Sequence, residues 1–318
     1  MRTILALMGM LLAGGSNLPA SGGPHGAAIQ ARPVMLDPRD PARMRVGALT
    51  YAGGWVLTSG DRRFGGISSL TVDGEGLLAI GDQGGMFRIE PRGDRPPAGR
   101  VIGPLPDGPA IPFGRRGRDS ESALRGPDGA LWVGFEGANA IWRYDAGVTR
   151  ATGHVAPPDM AGWPRNGGAE AMVRLPDGRA LVFAEEAEGA AAGTRQALIF
   201  PGDPVDGARP ARFDYRPPDG YVVTDMALLP DGRLIALHRR FTPLNGVSAI
   251  LSIVDSAAIQ TGAEVKGREI ARLVPPLTVD NMEALAVTQE RGRTILWIAS
   301  DNNFSSVQRT LLLRFRLD

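Results

Sequence analysis

Apolar residues along this chain fall in short alternating runs broken at close intervals by Gly, Pro or Asp, and stretches with helical spacing are nearly absent. Four segments share one form: an apolar strand, an Asp-Gly turn, and a second apolar strand that ends in charged or polar residues. They are Ile67–Asp82 (ISSLTVDGEGLLAIGD), Glu121–Glu136 (ESALRGPDGALWVGFE), Glu170–Glu185 (EAMVRLPDGRALVFAE) and Asp225–Arg239 (DMALLPDGRLIALHR). A fifth, Glu283–Asp301 (EALAVTQERGRTILWIASD), carries Arg-Gly at the turn and is slightly longer. Asp-Gly between β-rich runs marks a hairpin, because glycine accepts a positive φ and aspartate bonds its neighbouring backbone. The turn residues Asp73, Asp128, Asp177 and Asp231 recur at near-equal spacing, as an internal repeat requires.

Each hairpin is followed by more strand material, such as Ala140–Tyr144 (AIWRY), Gln196–Phe200 (QALIF) and Ser248–Val254 (SAILSIV). Four short antiparallel strands per unit of roughly 50 residues read as a propeller blade. The predicted fold is all-β, a β-propeller with five blades of four strands; six is the alternative if a degenerate blade lies in a long connection. A β-sandwich or a pair of small β domains is the competing arrangement, and equal-period repeats count against it. The fifth unit shows only three strands, the last at Thr310–Leu317, so its fourth is expected from the N-terminal run Gly47–Leu57. Pairing the two ends closes the ring and leaves no free edge at the seam.

In such a ring the first strand of each blade lines the central channel, and the second runs back to the same face. The first strands open on Glu121, Glu170, Asp225 and Glu283, with Gly65-Gly66-Ile67-Ser68 as the first blade's counterpart. The second strands end on Asp82, Glu136, Glu185-Glu186, Arg239-Arg240 and Asp301. Both sets are expected at one mouth of the channel, together with Arg118-Asp119-Ser120, Asn166-Gly167-Gly168 and Asp280-Asn281. Carboxylates crowded this closely repel one another and need compensation. A hard cation is one solution, since Asp, Glu and Asn oxygens match Ca²⁺ or Mg²⁺ rather than zinc. Arginine is another, with Arg63, Arg118, Arg239 and Arg240 nearby. In the third, each acid accepts backbone N–H bonds and only joins neighbouring blades.

Composition narrows the partners. The 318 residues carry a formal net charge of +1 without an acidic or basic tail, which gives no electrostatic reason for nucleic acid or an anionic membrane. Lys266 is the only lysine, so a cationic site here would use planar, bidentate guanidinium groups. Arg2, the apolar run Ile4–Ala13 and the small residues to Ala20 read as a secretory signal over 1–20, too short to span a bilayer. A Pro/Gly-rich lead-in over 21–45 and a single propeller domain over 46–318 follow. With no cysteine there is neither lipid anchor nor disulfide framework, and a periplasmic or secreted monomer is expected.

Other chemistries find little support. A G-x-S-x-G elbow and an H-E-x-x-H motif are both missing. Of the three histidines, His25 falls in the lead-in, His154 in an outer strand, and His238 precedes Arg239 where it can touch the mouth. The Gly-Gly pairs do not precede helices and read as tight turns rather than phosphate loops.

Several of these runs, taken in order, resemble the phytase-like family, whose members are described as esterase-like. Arg63-Phe64-Gly65-Gly66-Ile67-Ser68 with Gly81-Asp82 is similar to its opening signature, and Asp119-Ser120-Glu121 and Asn166-Gly167-Gly168-Ala169-Glu170-Ala171 are similar to later elements. The run from Asp225 to Leu234 with Arg239-Arg240-Phe241, and Asp280-Asn281-Met282-Glu283 with Ser300-Asp301-Asn302-Asn303-Phe304, continue the resemblance. Two positions depart from it: His238 stands where an acid is usual, and Ala284 where glycine is. The resemblance implies hydrolysis of a phosphoric or carboxylic ester at an acidic mouth that binds calcium. The implied catalytic and metal-holding acids are Glu121, Glu170, Asp225 and Glu283, with Asp82 and Asp301 as further metal ligands. Arg63, Arg239, Arg240, Asn166, Asn281 and Asn302 would hold a small anionic or ester substrate. A non-catalytic binding propeller and a calcium-dependent lactonase are the other functions such a site allows.

Overall fold

The computed structural model describes residues 26–109 and 118–318; the segment read as a signal sequence lies outside the described residues. Strands β1 (Ala28–Pro33), β2 (Arg45–Val46) and β3 (Leu49–Ser59) come first. A first meander follows with β4 (Ile67–Asp73), β5 (Gly76–Gly81), β6 (Gly85–Arg92) and β7 (Arg95–Pro104). The second contains β8 (Ser120–Arg125), β9 (Leu131–Phe135), β10 (Ala140–Tyr144) and β11 (Ala151–Val155). The third contains β12 (Ala169–Arg174), β13 (Ala180–Glu188), β14 (Arg195–Phe200) and β15 (Ala211–Arg216). The fourth contains β16 (Val222–Leu228), β17 (Leu234–Thr242) and β18 (Gly246–Val254). Its chain then adds β19 (Glu264–Lys266) parallel to the edge of β15 before returning as β20 (Arg268–Leu273). The last blade has β21 (Met282–Glu290), β22 (Arg293–Ser300) and β23 (Leu311–Leu317).

The innermost strands β4, β8, β12, β16 and β21 neighbour one another in that order, and β21 returns to β4, so a propeller ring closes. The seam is the one expected from the sequence: β3 runs antiparallel to β23, with Val56 opposite Leu311 and Leu49 opposite Leu317. Strand β1 is not foreseen, because it lies in the stretch read as a lead-in. It pairs with β3, Ile29 opposite Ser59, and with β7, Ala28 opposite Arg100. The outer strands of the last and first blades are thereby tied into one ten-stranded sheet.

Every blade buries both faces, so the core is divided into clusters between neighbours. Leu78 and Ile80 meet Val133 and Phe135, Trp132 meets Met172 and Val182, and Phe183 meets Met226 and Ala236. Leu237 meets Leu285 and Leu296, and Trp297 meets Trp55 and Leu70. The repeat turns form as their residues dictate: Gly74, Gly129, Gly178 and Gly232 take φ between 60° and 93°. The Asp128, Asp177 and Asp231 side chains accept the backbone N–H two residues on, at 3.0 to 3.2 Å. Among the described residues no helix is long and apolar enough to cross a membrane.

Candidate functional site

At one height in every innermost strand, the pairing with the second strand slips by a residue. The skipped residues are Ser68, Glu121, Glu170, Thr224 and Glu283. A bulge leaves the extra residue out of the ladder and re-aims its side chain, and bulges gather next to active sites. One residue past the pair that flanks each bulge, the second strands carry Asp82, Glu136, Glu185, Arg239 and Asp301, of which Arg239 is still paired, opposite Val222. The mouth is therefore built in two tiers, one of bulged residues and one of strand-end residues.

Carboxylates converge on the side of the second and third blades. Asp119, Glu121 and Glu136 each offer an oxygen within 4.8 Å of the others, and so do Glu136, Glu170 and Glu185. Glu136 belongs to both groups and also accepts the Gly167 and Gly168 N–H groups across the blade junction. At their edge Arg239 reaches Glu185 with Nη2 and Glu283 with Nε, both at 2.8 Å.

Burial dominates the electrostatics. It raises Glu170 well above the usual carboxylate range, with repulsion from Glu185, Glu121 and Glu136 added. Glu121 is raised in the same way by burial and by Glu136 and Asp119. Burial pushes Glu136 up to about 7 against the stabilising Gly167 N–H bond, and Glu283 up to about 8 although Arg239 opposes the rise. Asp301 is pushed up to about 6. For Arg239 burial disfavours the charge, but Glu283, Glu185 and Glu170 outweigh it and keep the guanidinium cationic. Seven carboxylates and one guanidinium thus share the two tiers. All-oxygen donors at this spacing fit a hard divalent cation, and burial together with mutual repulsion is what holds the acids above their usual range.

Other candidates lie elsewhere. Thr224, not Asp225, occupies the bulge of the fourth blade, where its hydroxyl donates to the Met282 carbonyl at 3.1 Å. Asp225 is buried one residue on, and its carboxylate accepts the Met226 and Leu285 N–H groups at 2.7 and 2.6 Å, joining the fourth blade to the last. Asn302 joins the last blade to the first by accepting the Gly66 N–H at 2.9 Å. Arg63 is gripped by both oxygens of Asp61, at 3.0 and 2.6 Å. Arg240 lies over the Tyr221 ring, 4.5 Å from its centroid. Asn166 is exposed beside Gly167, and Asn281 is buried, its carbonyl accepting the Asp301 N–H at 2.9 Å. His238 does not touch the mouth: it is fully buried against the third blade, with Nε2 2.7 Å from the Tyr215 hydroxyl. His154 stacks on Trp142 in the outer strands. Asp119, Glu136 and Glu185 were placed at the mouth by sequence but not among the candidate ligands, and their adjacency to Glu121 and Glu170 is what the repeat alignment alone could have shown.

No curated protein matches the chain. Among solved structures it is similar to a gluconolactonase from Xanthomonas campestris, with 14% identity, a TM-score of 0.47, and 94% of this chain and 99% of that one covered. It is similar to the Myxococcus xanthus glutaminyl cyclase at 11% identity and a TM-score of 0.46, covering 80% of this chain and 92% of that one. For the Kuenenia stuttgartiensis hydrazine synthase the identity is 17% and the TM-score 0.38, and 76% of this chain spans 58% of that one. The family described as phytase-like, with esterase-like activity of phytase, matches residues 62–304. Those residues run from the first blade's approach through the last blade's mouth loop, and the chain belongs to the phytase-like family.

Proposed function

We propose that the mouth hydrolyses a phosphoric or carboxylic ester with the help of a divalent cation, Ca²⁺ in first place. The observation that carries this reading is the pair of three-carboxylate groups sharing Glu136, with Arg239 ion-paired at their edge. When bound, such a cation polarises the ester oxygen and makes a water molecule more acidic. Asp119, Glu121, Glu136 and Glu185 are the residues that would hold it, with Asp82 and Asp301 at the strand ends of the first and last blades. Glu170, crowded by Glu185 and Glu121, would accept a proton from the attacking water. Glu283 keeps its proton to higher pH than a free carboxyl, which suits it to supply one to the leaving alkoxide. Arg239, fixed through Nε and Nη2, has Nη1 left for an oxygen that becomes anionic in the transition state. In this reading the protein works outside the cytoplasm, as a monomer, on a small molecule.

Calorimetric titration with calcium, paired with melting temperatures in calcium and in chelator, tests it. Saturable binding that raises the melting temperature is expected, and Glu136→Gln should remove the binding along with ester turnover. If calcium does not bind up to millimolar concentration, metal-assisted hydrolysis fails and the polar mouth is better read as a binding surface.

A further inference from the structure

The two sides of the mouth differ in character, and the pleat of β17 shows why. Ile235 and Leu237 pack with Leu285 and Leu296 of the last blade, whereas Leu234 and Ala236 pack with Phe213 and Tyr215 of the third. Arg239 continues the first set and reaches Glu283. The next residue on that face is Phe241, which is 48% exposed. The β17–β18 hairpin stays paired as far as Thr242 opposite Gly246. It therefore stands roughly 10 Å beyond Arg239 at the usual rise per residue. Leu244 at its tip is 91% exposed.

The loop after Asp301 adds Phe304 and Val307, 37% and 88% exposed. Asn303 and Phe304 both hold positive φ, 48° and 49°, an uncommon conformation for a side chain as bulky as Phe. That conformation lays the Phe304 ring over Gly65 and Gly66. A Cβ at Gly66 would meet the ring at 2.7 Å and would also strike the Asp82 carboxylate, so the ring borders the acidic tier. Exposed apolar side chains thus flank the polar mouth in both the fourth and the last blade, Phe241 and Leu244 in one and Phe304 and Val307 in the other. Among the described residues, Arg63 is paired with Asp61 and Arg240 lies over the Tyr221 ring.

We infer that the substrate is an uncharged carboxylic ester with an apolar arm, the arm lying along Phe241, Leu244, Phe304 and Val307 while the ester group sits between Arg239 and the acids. The inference rests on the hydrolytic reading of this mouth. Water adds to the carbonyl carbon, the bond from that carbon to the alcohol oxygen breaks, and one water proton ends on the alkoxide, leaving an acid and an alcohol. The polar tiers handle the bond that breaks, and the rim selects the chain attached to it.

The test uses two sets of probes on the full-length protein with calcium present. p-Nitrophenyl esters from acetate to octanoate, and inositol hexakisphosphate, report turnover; phenyl alkyl ketones of matching length cannot be hydrolysed and report binding by calorimetry. Ketone affinity should rise about two- to fourfold per added methylene that reaches the rim. That gain should vanish in a double variant with Phe241→Ser and Leu244→Ser, while its melting temperature and its calcium affinity stay unchanged. Affinity that does not grow with chain length, or grows equally in the double variant, overturns the inference. Faster phosphate release from inositol hexakisphosphate than alcohol release from any ester overturns it as well. Chain-length-dependent ketone binding without turnover of any ester would support the apolar rim and sink the hydrolytic reading.

Discussion

A one-residue slip in the ladder gives two acids from one repeat opposite duties. Glu170 is the bulged residue of its strand and faces other carboxylates, whereas Asp225 follows the bulge and faces two backbone N–H groups. Asp225→Ala should therefore cost about 1–3 kcal/mol in denaturant unfolding, since it strands buried donors at a blade junction. Glu170→Gln in chelator should leave the melting temperature equal or higher, because it removes a repelling charge, while ester turnover is lost. A buried histidine gives a second prediction. His238 is held neutral between the Tyr215 hydroxyl and the Ile250 carbonyl, and burial lowers its pKa to about 4. Glu269 is the charged group that pulls the other way. Between the unfolded value near 6.5 and about 4 the unfolded chain binds the extra proton, so this contribution is present above pH 6.5 and is lost as pH falls. Comparing unfolding free energies of the wild type and His238→Gln across that range should show a difference in slope totalling about 3 kcal/mol.

Elements show how far a sequence can be read without coordinates. The hairpin turns, the blade repeat and the pairing of β3 with β23 were all legible, because Asp-Gly chemistry and strand periodicity are local. Strand β1 was not: Ala28, Gln30 and Ala31 carry no strong β signal, and the strand exists because β3 and β7 present edges for it. At the site, Arg239 and Arg240 looked equivalent, although consecutive residues of a strand point to opposite faces and only the odd-numbered face meets Glu283. Alignment by acid likewise hid the slip that puts Thr224 where three other blades have glutamate. At the junction of the last and first blades, Gly66 has φ 61° with Phe304 and Asp82 packed where a Cβ would go. Gly66→Ala should cost about 1–3 kcal/mol from strain and displaced packing, and should quench ester turnover by moving Asp82. Thermal unfolding and turnover of the same preparation measure both.

The whole molecule depends on its seam. Residues 311–317 supply β23, which lies between β22 and β3, so a chain ending at Arg309 would expose two unpaired edges at once. Such a truncation should lose cooperative thermal unfolding by circular dichroism and gain mass by light scattering as edges pair between molecules. The seam also sets a timetable. Val56 and its partner Leu311 are separated by nearly the full length of the chain. A ribosome adding about 5–20 residues per second would need roughly 13–50 s to go from one to the other. Through that interval β3 already has β1 along one edge, made within the first 59 residues, while its other edge waits. Until that strand arrives the ring has no closing pair, so the junction of the last blade, with Glu283 and Asp301, against the first is the part of the mouth completed last.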